Sequence, residues 1–204
     1  MEIRVKRSQL LNELVPMQGI VERRTTIPVL SHILLRGNDS RLHLAATDLD
    51  VSLTTSCAAE VEGEGGIAVQ ARKFLEIVRA VVGEEVELSL EDEKRLSIKA
   101  GKSRFKINGL SQEDFPTLPD VKGADGIKIP FVLLKAMIGK VIFAVSAEES
   151  RFQLNGALLR VKDEGLELVA TDGHRLALVE NQLEGGQESD GVLVPRKALQ
   201  ELLR

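Results

Sequence analysis

Residues Thr171 to Arg175, TDGHR, set a hydroxyl, a carboxylate, an imidazole and a guanidinium within one short stretch. These are the parts of a hydrolase: a nucleophile, a base with an orienting acid, and a cation that steadies developing negative charge. Nothing beside Thr171 marks it as an activated nucleophile, and Asp172-Gly173 between the apolar runs LELVA and LALV has the form of a hairpin turn. Asp48 and Asp50, two apart in TDLD, could hold a divalent cation, yet a turn in which an aspartate bonds nearby backbone explains them adequately. His32, His43 and His174 lack ligand spacing, so no metal site is expected. Gly63, Gly65 and Gly66 lie in an acidic stretch with no Gly-Lys-Ser/Thr after them, which predicts a hairpin loop in place of a phosphate cradle. Cys57 is the only cysteine and excludes both an intrachain disulfide and a thiolate zinc cluster.

The elements that must position these groups are written twice. LHLAATD (42–48) matches LELVATD (166–172) at an offset of 124 residues, and the same offset sets Leu30 on Leu154 and Leu34, Leu35 and Arg36 on Leu158, Leu159 and Arg160. It also sets Arg72 and Lys73 on Arg196 and Lys197, and Leu10 on Leu134. A solenoid repeat spans about 20 to 50 residues, so a period of this length is a duplicated domain. The copies differ at one informative place: Leu49, Asp50 and Val51 stand where Gly173, His174 and Arg175 stand. A surface present on one copy of a shared turn points to partner binding more than to catalysis.

Apolar spacing predicts helices over 7–24, 72–79, 131–147 and 196–204, with Pro16 and Gly19 weakening or ending the first near residue 18. Strands are expected at 2–6, 32–37, 41–46, 51–57 and 67–69, and in the alternating runs EVELSL, RLSIKA and SRFKING. Ser111 to Gly126, with two prolines and two glycines, reads as a connector between domains 1–120 and 121–204. The fold class is α+β, with helices on one side of antiparallel sheet. At the 124-residue offset the second copy stops opposite Ala80, so about three strands are expected to be missing from it and the chain is expected to be a fragment.

Charge is segregated. The net charge is −4, but the four predicted helices contain eleven Lys and Arg against four Asp and Glu, a net +7, leaving −11 elsewhere. The same sign on all four favours a surface that faces a polyanion over simple solvation of amphipathic helices. Six Phe with no Trp or Tyr offer few stacking platforms, so nucleic-acid contact is expected at phosphates and independent of sequence. The start MEIRVKRSQ has no apolar segment, and Lys140 interrupts the most apolar stretch, which excludes a usual signal peptide or membrane span and fits the cytoplasm.

The ordered motifs RRTTIPVLSHILL (23–35), TDLD (47–50), ARKF (71–74), SRF (103–105), DFP (114–116), LNG (154–156), ATDGHRLA (170–177) and VPRK (194–197) together resemble the bacterial beta sliding clamps, the beta subunits of replicative DNA polymerase. The resemblance implies the DNA clamp fold: tandem domains whose antiparallel sheets lie outside while two helices per domain line an inner face. It implies a ring, closed by a homodimer of three-domain chains, of which this sequence covers the first domain and part of the second. Such a ring is a processivity factor, not an enzyme, and needs no cofactor. By position, the resemblance assigns Arg24, Arg72, Lys73, Arg104, Arg196 and Lys197 to duplex DNA. It assigns Arg151, Leu154, Thr171, Gly173, His174, Arg175 and Leu176 to a cleft for short linear motifs of the replicative polymerase, the clamp loader and repair polymerases. Ala147 and Glu148 depart from the His or Gln found at such DNA-contacting positions in the family, so the resemblance assigns no DNA contact there. Two rival readings stand beside this one: a hydrolase centred on Asp172 and His174, and an interaction scaffold that never meets DNA.

Overall fold

Ile3 and Val5 alternate with charged residues, so strand β1 (Glu2–Lys6) buries one side only. Helix α1 (Arg7–Ile20) follows and buries Leu10, Leu14, Met17 and Ile20, a three-to-four-residue spacing that gathers them on one face. The helix runs through Pro16 and Gly19 to Ile20, a little past the end expected near residue 18. Pro16 faces solvent, where the carbonyl it leaves unbonded meets water. An interior proline costs about 3 kcal/mol, whereas burying Met17 and Ile20 gains about 1.5–3 kcal/mol each, so the helix continues.

The computed structural model describes all residues except 23–25, 120–126, 149, 163–164 and 184–189, and it divides into two units, Met1–Pro119 and Asp120–Arg204. In unit 1 the remaining elements are β2 (His32–Asn38), β3 (Arg41–Thr47), β4 (Ser52–Glu62), β5 (Gly65–Gln70), α2 (Ala71–Ala80), β6 (Glu85–Asp92), β7 (Arg95–Ala100) and β8 (Ser103–Ser111). The strands close into an antiparallel barrel in the order β1-β4-β3-β2-β5-β8-β7-β6. Closure depends on β8 changing partners, from β7 over its first part to β5 at Gly109, Leu110 and Ser111. A Cβ on Gly109 would lie 2.4 Å from the carbonyl oxygen of Ala68, so only glycine fits the crossing. Because β4 and β5 pair with other strands and not with each other, Gly63 and Glu64 are a crossover, not the expected hairpin loop.

Helices α1 and α2 pack on each other and share one core with the inward residues of the strands, including Ile33, Leu42, Ile67, Phe74 and Leu96. The side chain of Arg7 fastens the two helices, donating from Nε to the Val78 carbonyl (2.9 Å) and from Nη2 to the Arg79 carbonyl (2.7 Å) at the end of α2. A second, smaller cluster lies on the opposite side of the sheet, where Phe115 packs on Val29, Leu30, Leu34 and Ala68, with Leu118 beside it. The expected connector therefore begins late: β8 runs through Ser111, and Phe115 holds the segment after it against unit 1.

Unit 2 repeats the plan. It contains α3 (Phe131–Val141), β9 (Gly156–Lys162), β10 (Gly165–Thr171), β11 (Leu176–Gln182), β12 (Val192–Pro195) and α4 (Arg196–Leu203), with its strands ordered β11-β10-β9-β12. Helix α3 and strands β9, β10 and β11 each begin 124 residues after α1, β2, β3 and β4, so the register read from sequence is the register of the fold. Met137, Ile138, Val141, Leu166, Leu168 and Leu199 are central to its core. Helix α3 is shorter than predicted, because the chain tightens into a 3-10 turn at Ile142–Ala144 before ending near Val145.

Candidate functional site

The TDGHR segment is the last residue of β10, Thr171, and the four-residue loop 172–175 that leads to β11, with Thr171 and Leu176 the cross-strand pair that flanks the loop. Asp172 organises it. One carboxylate oxygen accepts from the backbone N–H groups of His174 and Arg175, both at 3.0 Å, and the other accepts from Arg175 Nε at 3.0 Å. Those backbone bonds, with the guanidinium after them, hold the Asp172 carboxyl at about 2, well below its ordinary value. Thr171 Oγ1 donates to the Arg175 carbonyl (2.7 Å) and accepts from the Gly173 N–H (3.1 Å). Thr171 and Asp172 are thus spent on the turn, and among the described residues no hydrogen bond joins the His174 ring to either. The hydrolase reading has no geometry to stand on.

The matching loop of unit 1 shows which features belong to the scaffold. Asp48 Oδ1 accepts from the N–H groups of Asp50 (3.0 Å) and Val51 (2.6 Å), and Thr47 Oγ1 accepts from the Leu49 N–H (3.0 Å). Gly173 has φ +88° and Leu49, its counterpart, has φ +81°. The third position of the turn demands the left-handed region, which glycine enters freely and leucine does not. Asp48 and Asp172 are turn residues in both copies, and among the described residues no group of three His, Cys, Asp or Glu is placed to hold a metal.

Around the unit 2 loop the fold assembles a mixed surface. A Cβ on Gly173 would lie 3.7 Å from Arg151 Nη1, so Arg151 reaches the loop although it is far away in sequence. Arg151 also pairs with Glu148 through Nε at 3.1 Å. The guanidinium of Arg175 stacks over the ring of Phe143, 5.5 Å from its centroid. Leu154 closes the 3-10 turn Phe152–Leu154 and is half-buried, while Leu176 is 64% exposed on the strand leaving the loop. Phe143 and the 81% exposed Phe152 extend this surface and were not foreseen, since periodicity marks neither.

The model for the DNA polymerase III beta subunit, N-terminal domain, matches residues 1–119, and that for its central domain matches residues 128–204. The chain belongs to the DNA polymerase III beta subunit family. It is 41% identical to the beta sliding clamp of Caulobacter vibrioides, over all of this chain and 57% of that protein. Among solved structures it resembles the DNA polymerase sliding clamp of Bacillus subtilis (TM-score 0.94, 32% identity, all of this chain and 56% of that one). It also resembles a sliding clamp of Bartonella birtlesii bound to griselimycin (TM-score 0.90, 38% identity, all of this chain and 56% of that one). The chain thus spans little more than half the length of the clamps it matches.

The clamp resemblance proposed two sets of residues, and the fold treats them differently. Residues 151 and 154 belong to the 3-10 turn before β9 and residues 171 and 173–176 to the β10–β11 hairpin, the two brought together at Arg151 and Gly173. The basic set is dispersed. Arg72 and Lys73 are exposed on the first turn of α2, opposite its buried Phe74 and Val78, with Arg72 pairing to Glu76 at 2.9 Å. Arg104 is on a strand, β8, in a groove with Lys99, Glu84, Glu85 and Glu87, and not on a helix. Arg196 is half-buried and donates from Nη1 to the Val145 carbonyl at 2.5 Å, so the residue that repeats Arg72 in sequence does not repeat its freedom. Lys197 is half-buried on α4, and Arg24 lies outside the described residues. As formed, the four helices hold eight Lys and Arg against three Asp and Glu, a net +5; the excess expected from the first helix lay beyond its end, at Arg23 and Arg24.

Proposed function

We propose that this chain supplies clamp domains of a DNA sliding clamp, the first over residues 1–120 and the second from 121 onward. The ring surrounds duplex DNA without reading its sequence and tethers other proteins to it. It is closed by homodimerisation and works in the cytoplasm. The observation that carries this is the family match through both units, joined to the basic, exposed turn of α2. Arg72 and Lys73, with Arg24, Arg104, Arg196 and Lys197, are the proposed phosphate contacts. A basic face on an acidic chain attracts phosphate broadly and need not grip it. The surface from Arg151 and Leu154 to Thr171 and Gly173 through Leu176 is the proposed docking site for short motifs of the replicative polymerase, the clamp loader and repair polymerases. Its apolar Leu154 and Leu176 would take a motif's large side chain while the rigid turn meets its backbone. The protein acts by holding and not by catalysis, with no cofactor.

Fluorescence anisotropy at low salt tests the DNA half of this reading with two duplexes of unrelated sequence. Both should bind weakly and equally. Replacing Arg72→Glu together with Lys73→Glu should weaken both alike and lower the log–log salt slope by about 1 to 2, since each lost phosphate contact removes about 0.9. A preference for one duplex, or an unchanged slope, refutes the assignment.

A further inference from the structure

The two copies differ in the ion pairing of one repeated arginine. Arg36 and Arg160 hold the same position on β2 and β9, both on the side away from the core. Opposite Arg160 stands Glu167, almost fully buried, with a carboxylate oxygen 3.5 Å from Arg160 Nε and the other oxygen bound by Lys162. Opposite Arg36 stands His43. The unit 1 counterparts of Lys162 and Glu180 are Asn38 and Ser56, so the carboxylates of this row are gone while the arginine is kept. Among the described residues Arg36 makes no ion pair.

Arg36 opens onto a groove of about 490 Å³ whose base is Leu34, Ala45 and Thr54 and whose wall is the segment Phe115 to Leu118. No carboxylate lines it, in a chain whose acidic residues outnumber its basic ones. Its lining divides between the apolar side chains and the polar mouth at Arg36, Asn38 and His43. The backbone of Thr117 and Leu118 forms no hydrogen bond with any described residue, which leaves main-chain donors and acceptors along one wall.

We propose that this groove binds an extended peptide segment that carries an acidic side chain beside a large apolar one. The carboxylate takes the place at Arg36 that Glu167 takes at Arg160. The apolar side chain enters against Leu34, Ala45 and Phe115, and the peptide backbone pairs with the Thr117 and Leu118 wall. A charge-assisted bond to a guanidinium favours an acid over its neutral isostere, and the volume is within the range of ligand sites.

The test is a titration of the ¹⁵N-labelled 204-residue chain with acetyl-Leu-Glu-Leu-amide and with its isostere acetyl-Leu-Gln-Leu-amide, read residue by residue. Shifts should centre on Leu34, Ala45, Thr54 and Leu118, with the acidic peptide about tenfold tighter. His43→Glu, which gives Arg36 the partner that Arg160 has, should remove that preference, and so should Arg36→Gln. Both positions are exposed, and a dispersed spectrum confirms that each variant folds. Equal affinity for the two peptides overturns the proposal, as do shifts centred on Thr171 to Leu176 or no shifts at millimolar peptide. Concentration-dependent pairing of the chain through this face without peptide would overturn it as well.

Discussion

Replacing Phe115 by Ala tests whether the segment after β8 belongs to unit 1. Phe115 is 7% exposed and touches the outer cluster of Val29, Leu30, Leu34 and Ala68. A buried phenylalanine removes about 150–250 Å² from water, and truncation in a well-packed core costs about 3–5 kcal/mol. This cluster is small and near the surface, and the segment over it can settle inward, so the expected loss is about 2–3 kcal/mol. With a urea dependence of about 1–3 kcal/mol per molar, the unfolding midpoint of unit 1 should fall by about 1–2 M. Residue-resolved NMR during a urea titration separates the units: Leu42 and Ile98 report on one core, Ala157 and Leu168 on the other. The unit 1 midpoint should move and the unit 2 midpoint should stay. A unit 1 midpoint that does not move would show that Phe115 rests on the sheet without stabilising it, and equal shifts in both units would show that the two cores unfold as one.

Two further predictions concern the β10–β11 loop. Because the Asp172 carboxyl is held at about 2 by backbone bonds from His174 and Arg175, its contribution to the loop is complete above its ordinary value near 3.8 and is lost as pH falls through about 2. The amide shifts of His174 and Arg175 should therefore titrate near pH 2 and stay flat in Asp172→Asn; a midpoint near 4 contradicts the bonding described. Gly173→Leu should destabilise unit 2 by about 1–2 kcal/mol in urea unfolding, the cost of φ +88° for an L side chain. Leu49→Gly in unit 1 should change little, as relief of φ +81° is offset by the backbone freedom glycine restores to the unfolded chain; a comparable loss in both variants would mean that φ is not the determinant.

What was legible in the sequence was whatever repeats or alternates locally. The 124-residue register set the starts of α3, β9, β10 and β11, and the alternation of Ile3 and Val5 or of Leu42 and Leu44 gave the buried side of their strands. Barrel closure was not legible, because alternation identifies a strand's face and never its neighbour: nothing near Glu2 says that β1 lies between β4 and β6. For the same reason the Gly63 to Gly66 stretch passed for a hairpin. At the candidate site the turn itself was readable from Asp172-Gly173, whereas the reach of Arg151 and the stacking of Arg175 on Phe143 depend on tertiary packing. Arg196 is the sharpest case. Its spacing matches that of Arg72, but the carbonyl of Val145, 51 residues away, fixes what it can do.

Comparing copies also shows how one scaffold came to present two different surfaces. Both turns keep Thr, Asp and a left-handed third residue, and in unit 1 the Thr47 hydroxyl lies 2.8 Å from Ser52 Oγ and is almost fully buried. That buried bond holds the turn in shape while Leu49 sits at φ +81° and 60% exposed. In unit 2 glycine removes the strain, and the residues after it are free to serve the surface: Arg175 bonds Asp172 on one side and stacks on Phe143 on the other. A guanidinium held at two points loses little freedom when a partner arrives, so the unit 2 turn is preorganised for binding in a way that the unit 1 turn is not. On the sheet face the division reverses. There Arg160 is neutralised by Glu167, and Arg36 is the cation left open. Arg36, which repeats an arginine that unit 2 neutralises internally, is therefore the unit 1 group open to a partner, while unit 2 presents at its turn an arginine already held at two points.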